Sequence, residues 1–309
     1  MTHTVIIPLF NKASYIAQTL HSLLRQHKMP EELIIVDDAS TDQSLSITHE
    51  FLRNHAAEFG HCRIQVIELS ENKGPGNARN IGFAASSCEL ISFLDADDEY
   101  HPSLLEIVAE AFNTYELDFM VLDITFMPGR EIYPDVESLT KYLEPIATDL
   151  YLIKDPLRAV SSPHFIMGVG SNVITKRKWI AAHQYIAEAQ LNEGIDFWYR
   201  VLKGILNSGP GKIALQTGGY LYVNEVPGSL SRKHYSHFKQ IELPPVISRY
   251  INSTDKHDRL LMGMIGERWY KHALQNLTSN HQKIHFMWHH RRFLTLYLGY
   301  LLLKMNVRS

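Results

Sequence analysis

The first 125 residues alternate short apolar runs with segments of helical periodicity, and this alternation limits the fold more than any other feature of the sequence. Five apolar runs have the length of buried strands: residues 5–9, 33–36, 64–69, 90–94 and 119–122. Between the first two runs, apolar side chains over residues 15–24 recur at helical spacing behind Ser14, a predicted N-cap. Further helices are predicted over residues 44–59 and 75–85 and from Pro102 onward. The pattern predicts an α/β fold with a mostly parallel sheet flanked by helices.

The rest of the chain has a looser pattern. Residues 126–165 are rich in Pro, Asp and Tyr, residues 166–230 contain short strands and one helix, and residues 246–309 are mainly helical in pattern. We therefore expect three parts. Residues 1–125 and 126–240 are predicted to form the two halves of one domain, and residues 241–309 a helical C-terminal extension.

The net charge, the cysteine count and the absence of certain motifs argue against several classes of function. With 30 basic and 33 acidic residues, the formal charge of −3 gives no electrostatic footprint for nucleic acid. Two cysteines in 309 residues favour a reducing compartment over a disulfide framework. No HExxH or paired CxxC motif indicates a zinc site. Because the chain shows neither a signal-peptide pattern nor an apolar stretch of about 18 residues, we expect a cytoplasmic protein.

Two acidic clusters follow predicted strands, where open parallel sheets bind their ligands. The first, residues 37–42 (DDASTD), includes Asp38, which would either bind a base or ribose or belong to a helix N-terminus. The second, residues 95–98 (DADD), offers the oxygen ligands that Mg²⁺ and Mn²⁺ prefer. Its alternative interpretation is a solvated acidic turn before the next helix.

A glycine-rich turn opens the predicted helix at residue 75. Residues 72–80 (NKGPGNARN) place backbone N–H groups where they can face an anion, and Lys73 or Arg79 can pair with phosphate. The turn matches neither the P-loop pattern nor GxGxxG, so alone it does not identify the ligand.

In their order and spacing, these segments resemble the family 2 glycosyltransferases of GT-A fold. The similarity runs over residues 3–103 and rests on VIIPLFNKASYIAQTLHSLLRQ, ELIIVDDASTD and ENKGPGNARNIGFAASSCELISFLDADDEYHP. A looser similarity continues at residues 191–202 and at residues 228–231 (GSLS). The resemblance implies a Rossmann-like GT-A domain that moves a sugar, with inversion, from a nucleotide diphosphate to a glycan or lipid-linked acceptor. A UDP-sugar is the favoured donor, and surface polysaccharide or lipopolysaccharide synthesis the expected process.

The resemblance also implies roles for single residues. Pro8 would flank the nucleobase, Asp38 would hydrogen-bond it, and Arg79 would approach the nucleotide. Asp95 and Asp97 match the DxD element, which places the ribose and a Mn²⁺ or Mg²⁺ ion that bridges the diphosphate.

An inverting transfer needs a base that deprotonates the acceptor hydroxyl. The family carries it in a Glu-Asp pair, which is matched here by Glu193 followed by Gly194. Asp196 lies three residues after Glu193 and has Arg200 as an i+4 partner, which would lower its basicity. We therefore predict Glu193 as the base and Asp196 as the alternative, with Gly194 leaving room for Glu193 to swing into the vacated space.

Two other functions stay compatible with the sequence. One is a transferase-like nucleotide-binding module without turnover, which only Gly194 supports. The other is a nucleotidyltransferase, although residues 9–12 (LFNK) lack the glycine-rich loop usual in that class.

The C-terminal segment 289–304 is basic at its edges and apolar inside, and it is too short to span a bilayer. It predicts either peripheral contact with the inner face of the membrane or a helix packed on the domain or on a second subunit of a homo-oligomer.

Overall fold

The structure, a computed structural model, describes residues 1–165, 167–186, 193–226 and 234–294. The N-terminal part alternates strands and helices as predicted: β1 (His3–Leu9), α1 (Ile16–Leu24), β2 (Glu32–Asp37), α2 (Ser44–Asn54), β3 (Arg63–Glu68), α3 (Pro75–Ala85) and β4 (Leu90–Phe93). The middle of the chain continues with β5 (Glu99–Tyr100), α4 (Leu104–Tyr115), β6 (Phe119–Leu122), β7 (Ile124–Met127), β8 (Glu131–Tyr133), a 3-10 helix (Glu137–Tyr142), β9 (Leu143–Ala147), β10 (Leu150–Ile153), α5 (Pro156–Val160), β11 (Val173–Lys176), α6 (Arg177–Ile180), α7 (Glu193–Ser208), β12 (Ile213–Gln216) and β13 (Leu221–Asn224). The C-terminal part holds a 3-10 helix (Phe238–Gln240), α8 (Pro245–Tyr250), α9 (Lys256–Asn276) and α10 (Asn280–His289).

A nine-stranded sheet in the order β3-β2-β1-β4-β11-β6-β12-β10-β9 forms the centre of the fold. β3, β2, β1 and β4 are parallel, and β12 is parallel to β6, whereas β11 runs antiparallel to both of its neighbours. A second, four-stranded sheet has the order β5-β13-β7-β8. The direction of strand order reverses at β1, which lies between β2 and β4. Ligand crevices of α/β sheets open at such a reversal, beyond the carboxyl ends of the strands.

β1, β2 and β4 are buried on both faces because helices cover each side of the sheet, whereas the edge strand β3 is partly exposed. In β1, Ile6 packs in one hydrophobic cluster with Ile34 and Phe93, while Val5 and Ile7 pack in the other. This alternation follows from the two-residue period of a strand. Burial on both faces explains why β1, β2 and β4 read as apolar runs.

Three predicted helix limits differ from the structure. α1 begins at Ile16 after a turn in which Tyr15 N–H donates to the Lys12 carbonyl, so Ser14 is not its N-cap. α2 ends at Asn54 and not at residue 59, because His55 leaves helical geometry (φ −112°, ψ 16°). α4 begins at Leu104, two residues after Pro102.

The C-terminal part of the described chain is mainly helical, as predicted. Trp269 of α9 is 1% exposed and packs against Phe286 of α10, with ring centroids 5.0 Å apart. Over the four described ranges, no helix combines the length and the apolar character needed to cross a membrane.

Candidate active site

Pro8 lies at the end of β1, at the mouth of the predicted crevice. The hydrogen bond from Leu94 N–H to the Ile6 carbonyl shows that the backbone groups of Ile6 point toward β4. The backbone of Pro8, two residues later, points toward the same side, but the pairing of β1 with β4 ends at Ile6. Proline therefore removes no ladder hydrogen bond here.

Asp38 holds the glycine-rich turn. Its side chain is buried and accepts hydrogen bonds from Lys73 N–H at 2.9 Å and Gly74 N–H at 2.7 Å. Gly74 has φ of 88° and precedes α3 as its N-cap, a conformation that favours glycine. Asp38 is thus not the residue that caps α2, and its bond to a nucleobase stays a prediction.

Lys73 belongs to this turn, and its backbone N–H, not its side chain, bonds to Asp38. Its side chain is half-exposed and pairs with Glu71 at 2.7 Å. This pairing raises the pKa of the Lys73 ammonium. The ammonium is therefore charged beside the turn, where a phosphate contact remains a prediction.

Arg79 of α3 joins two acids that are far apart in the sequence. Its guanidinium is buried and donates to Asp95 Oδ1 and to Glu193 Oε1, each at 2.7 Å. It also lies 5.2 Å from the ring centroid of Tyr185. Burial disfavours its charged form, but the carboxylates of Asp95 and Glu193 outweigh that effect and raise the pKa of Arg79. Arg79 therefore links the end of β4 to α7.

The acids after β4 form a crowded cluster. Asp97 pairs with the Lys12 ammonium, and the buried Asp98 accepts a 2.6 Å hydrogen bond from the Ser171 hydroxyl. Ser171 Oγ in turn accepts the Asp95 N–H at 2.8 Å. Burial, followed by the charge of Asp95, raises the pKa of Asp97 and of Asp98. The cluster carries negative charge that a cation would stabilise.

The donor set of this cluster fits a hard divalent cation. Asp95 and Asp97 offer carboxylate oxygens, the ligands that Mg²⁺ and Mn²⁺ prefer. At Gly170, whose φ is 34°, a Cβ atom would lie 1.8 Å from Asp95 Oδ2, so the glycine leaves this oxygen its space. In the described ranges no three His, Cys, Asp or Glu side chains converge on one point. A cation here would thus take further oxygens from substrate and water.

Glu193 has one engaged and one free carboxylate oxygen. Oε1 accepts from Arg79, whereas Oε2 is buried and has no partner among the described residues. Burial raises the pKa of Glu193, Arg79 opposes the rise, and Asp95 adds to it. Glu193 lines a cavity of about 180 Å³ with Arg79, Gly168, Gly170, Tyr185 and Gly194. An unpaired acceptor beside a cavity suits a group that takes a proton from a ligand.

The space beside Gly194 is filled by backbone. A Cβ atom at Gly194 would lie 2.2 Å from the Gly168 carbonyl oxygen. The expectation that Glu193 swings into space vacated at this position is therefore wrong. Gly168 occupies that space, and Arg79 holds Glu193.

Asp196 is bound by two arginines. It is 1% exposed and accepts from Arg200 Nε at 3.0 Å, which confirms the predicted i+4 pair. Arg249 of α8 donates to it as well, from Nε at 2.8 Å and from Nη2 at 3.2 Å. Both carboxylate oxygens are thus engaged, and Asp196 ties α7 to the C-terminal helices.

Sequence reasoning missed five residues that shape this site. They are Lys12, Gly168, Gly170, Ser171 and Tyr185. The two glycines and the serine form the short motif GVGS at residues 168–171, which is a readable turn signal. Nothing in the sequence links Tyr185 to α3, although its backbone exchanges two hydrogen bonds with the Asn80 side chain. Residues 228–231 and the start of the 191–202 segment lie outside the described residues.

Several curated proteins are similar to this chain. An uncharacterized glycosyltransferase of Nostoc sp. is 34% identical over 131 residues, 42% of this chain and 39% of that protein. The poly(ribitol-phosphate) beta-N-acetylglucosaminyltransferase TarS of Staphylococcus aureus is 31% identical over 135 residues, 43% of this chain and 22% of TarS. The succinoglycan biosynthesis protein ExoO of Rhizobium meliloti is 27% identical over 233 residues, 74% of this chain and 62% of ExoO. The matched segments thus span less than two thirds of each of these relatives.

The fold has solved counterparts. The crystal structure of S. aureus TarS 1-349 in complex with UDP-GlcNAc superposes with a TM-score of 0.60 at 19% identity, over 97% of this chain and 73% of that one. The sequence model of glycosyl transferase family 2 matches residues 4–179, more than half of the chain. This chain belongs to glycosyl transferase family 2.

Proposed function

We propose that this chain moves a sugar from a nucleotide diphosphate donor to a hydroxyl of a glycan or lipid-linked acceptor. One observation carries the proposal. The buried Arg79 bonds both to Asp95, which follows β4, and to Glu193 of α7, and Arg79 and Glu193 line one cavity. Relatives are named for teichoic acid, poly(ribitol-phosphate) and succinoglycan synthesis, which supports a role in surface polysaccharide or lipopolysaccharide synthesis.

The donor would bind in the crevice beyond β1 and β4. The residues proposed to surround the nucleotide there are Pro8, Asp38, Lys73, Arg79 and Asp95. We favour a UDP-sugar because the TarS structures contain UDP-GlcNAc and UDP. The Nε atom of Arg79 is buried without a partner among the described residues, so a donor oxygen would satisfy it.

Asp97 and Asp95 would hold the Mn²⁺ or Mg²⁺ ion. When bound, such an ion supplies Lewis-acid stabilisation of a departing diphosphate. Around these acids, Lys12 neutralises Asp97, and Ser171 fixes Asp98 together with the backbone of Asp95. These contacts keep the carboxylates in place although their like charges repel one another.

Glu193 is the proposed base of an inverting displacement. Its free Oε2 would take the proton of the acceptor hydroxyl. The acceptor's oxygen would attack the anomeric carbon as the nucleotide diphosphate leaves from the opposite face. Asp196 is the weaker alternative, because Arg200 and Arg249 already engage both of its oxygens.

The base assignment is tested by Glu193→Gln with Asp196→Asn as the matched variant. Hydrolysis of UDP-sugars in Mn²⁺ reports turnover, and titration calorimetry with UDP reports binding. Glu193→Gln should lower turnover by about two orders of magnitude, the scale of a lost general base, and leave UDP affinity unchanged. Asp196→Asn should mainly lower thermal stability, since two arginines lose their charged partner.

Two results would contradict this assignment. Near-normal turnover of Glu193→Gln, together with a folded but inactive Asp196→Asn, would make Asp196 the base. A wild type that binds UDP but turns over no donor would be a nucleotide-binding module.

We also infer that the protein acts in the cytoplasm, with peripheral contact at the inner face of the membrane through its C-terminal segment. The basic edges of residues 289–304 support this contact. Residues 295–304 of this segment lie outside the described residues. A wild type found wholly in the supernatant after cell fractionation would refute the membrane contact.

A further inference from the structure

The charge of the chain is divided unequally along its length. No Asp or Glu follows Glu267, and residues 268–309 contain seven Lys and Arg residues. Because the whole chain has a formal charge of −3, the 267 residues before this segment carry −10. The C-terminal segment is therefore a basic region on an acidic protein, and it would be attracted to anionic surfaces.

Within this basic segment, α10 has one buried and one exposed apolar face. On the buried face, Phe286 is 0% exposed and packs on Trp269, as does Phe293, which follows α10 and is 2% exposed. The opposite face carries Ile284 and Trp288, which are 61% and 71% exposed, with Met287 between them at 37%. Positions 284, 287 and 288 have the i, i+3, i+4 spacing of one helix face. Large apolar side chains at such exposure mark an interaction surface when they cluster.

Basic groups border this exposed face. The guanidinium of Arg291, one turn after Trp288, lies 5.0 Å from the Trp288 ring centroid, and its Nη1 donates to the Trp288 carbonyl at 3.2 Å. Lys283 precedes Ile284, and Arg292 follows Arg291. An exposed tryptophan under a guanidinium, with apolar neighbours on the same face, is the composition of a helix that lies in a membrane interface.

We propose that the face of α10 formed by Ile284, Met287 and Trp288, bordered by Arg291, docks on an anionic lipid surface. The apolar side chains enter the headgroup boundary, and the arginines meet the lipid phosphates. Two-fold contact of this face with a second copy is disfavoured, because it would bring the same basic groups of both copies together, and residues 268–309 contain no Asp or Glu to offset them. Anionic lipids neutralise those groups instead.

Docking of α10 on lipid deepens the proposed peripheral membrane contact and is independent of sugar transfer. Vesicle binding needs neither donor nor acceptor, so its failure leaves the transferase proposal intact. The vesicle test also distinguishes lipid binding by α10 from lipid binding by the tail, because the substitutions lie on α10 and leave residues 295–309 unchanged.

The experiment measures sedimentation of the full chain with vesicles of phosphatidylcholine that contain or lack phosphatidylglycerol. Ile284→Glu and Trp288→Glu are compared with Ile132→Glu, which places the same charge at an isoleucine of β8 that is 56% exposed. Wild type and Ile132→Glu should bind the anionic vesicles, and this binding should weaken as salt is raised. Ile284→Glu and Trp288→Glu should each bind at least about tenfold more weakly, because a carboxylate replaces an apolar anchor.

Tryptophan fluorescence gives a second measurement. Of the other three tryptophans, Trp198 and Trp269 are 0% and 1% exposed, and the partly buried Trp179 donates its Nε1–H to Asp118. A blue shift on adding anionic vesicles that is absent in Trp288→Phe therefore reports entry of Trp288. The proposal is overturned if the wild type does not sediment with anionic vesicles. It is equally overturned if the α10 variants bind like Ile132→Glu, which would assign any membrane contact to the tail. A doubled mass in solution that Trp288→Glu abolishes would assign the face to a second copy.

Discussion

Replacing Gly194 tests whether this position is a lost catalytic acid or a packing requirement. The family usually has an acid here, so a glycine suggests decay of the active site. In the structure, a Cβ atom at residue 194 would lie 2.2 Å from the Gly168 carbonyl oxygen and 3.1 Å from its carbon. Because these are backbone atoms, no rotation of a side chain relieves the contact. Gly194→Ala should therefore destabilise the protein.

Two opposing effects set the magnitude. Overpacking of a close contact costs about 1–3 kcal/mol of unfolding free energy. Replacing a helical glycine by alanine returns at most about 1 kcal/mol, and less in the first turn of α7, where Gly194 lies. We expect a net loss of about 1–2 kcal/mol, which lowers the melting temperature by a few degrees. Gly194→Asp should lose more, since it adds a buried carboxylate to the same contact.

The matched control is Gly266→Ala in the interior of α9. A Cβ atom there would come no closer than 3.9 Å to the Ile247 side chain, an ordinary contact. This variant should be as stable as wild type or up to about 1 kcal/mol more stable. Urea unfolding of the three variants checks the prediction. The packing explanation is refuted if Gly194→Ala is as stable as Gly266→Ala, and the decay explanation gains support if Gly194→Asp raises turnover.

Two further predictions concern the metal and the base. Asp97→Asn should weaken UDP binding in Mn²⁺ by at least about tenfold while the fold survives, and unchanged Mn²⁺-dependent affinity by calorimetry would count against a metal role for Asp97. Arg79→Gln should move the acidic limb of the pH–kcat profile to higher pH, because Arg79 opposes the rise in the pKa of Glu193 and the base acts only when ionised. An acidic limb that stays in place would show that Arg79 does not act on the base.

The sequence predicts the elements of the N-terminal half well because their signals are local. A buried strand needs a continuous apolar run, and the five predicted runs all coincide with strands. The sequence predicts α3 over residues 75–85, and the structure has it at Pro75–Ala85, because a proline and a glycine-rich turn mark its start. The errors at Ser14 and His55 concern helix ends, where weak local preferences compete with turns.

The sequence is less informative about the site, because its contacts join distant segments. The DxD acids and Arg79 stand out in short motifs, but the bond from Arg79 to Glu193 spans 114 residues. The partner of Asp196 on its own helix follows from i+4 spacing, whereas Arg249 comes from the C-terminal extension. The sequence around Gly194 suggests a missing acid, because it does not show that the backbone of Gly168 packs against this position.

Arg79 explains why donor and acceptor chemistry would depend on each other in this chain. Arg79 is a buried guanidinium that bonds two carboxylates. It therefore fixes the position of α3 relative to both the end of β4 and the start of α7. Any movement of Asp95 as a donor binds would therefore reach Glu193 through two 2.7 Å hydrogen bonds. Since Arg79 also opposes the rise in the pKa of Glu193, a weaker bond between them would change the basicity of that carboxylate. The same side chain thus positions Asp95, the proposed acid of the donor side, and lowers the proton affinity of Glu193, the proposed base.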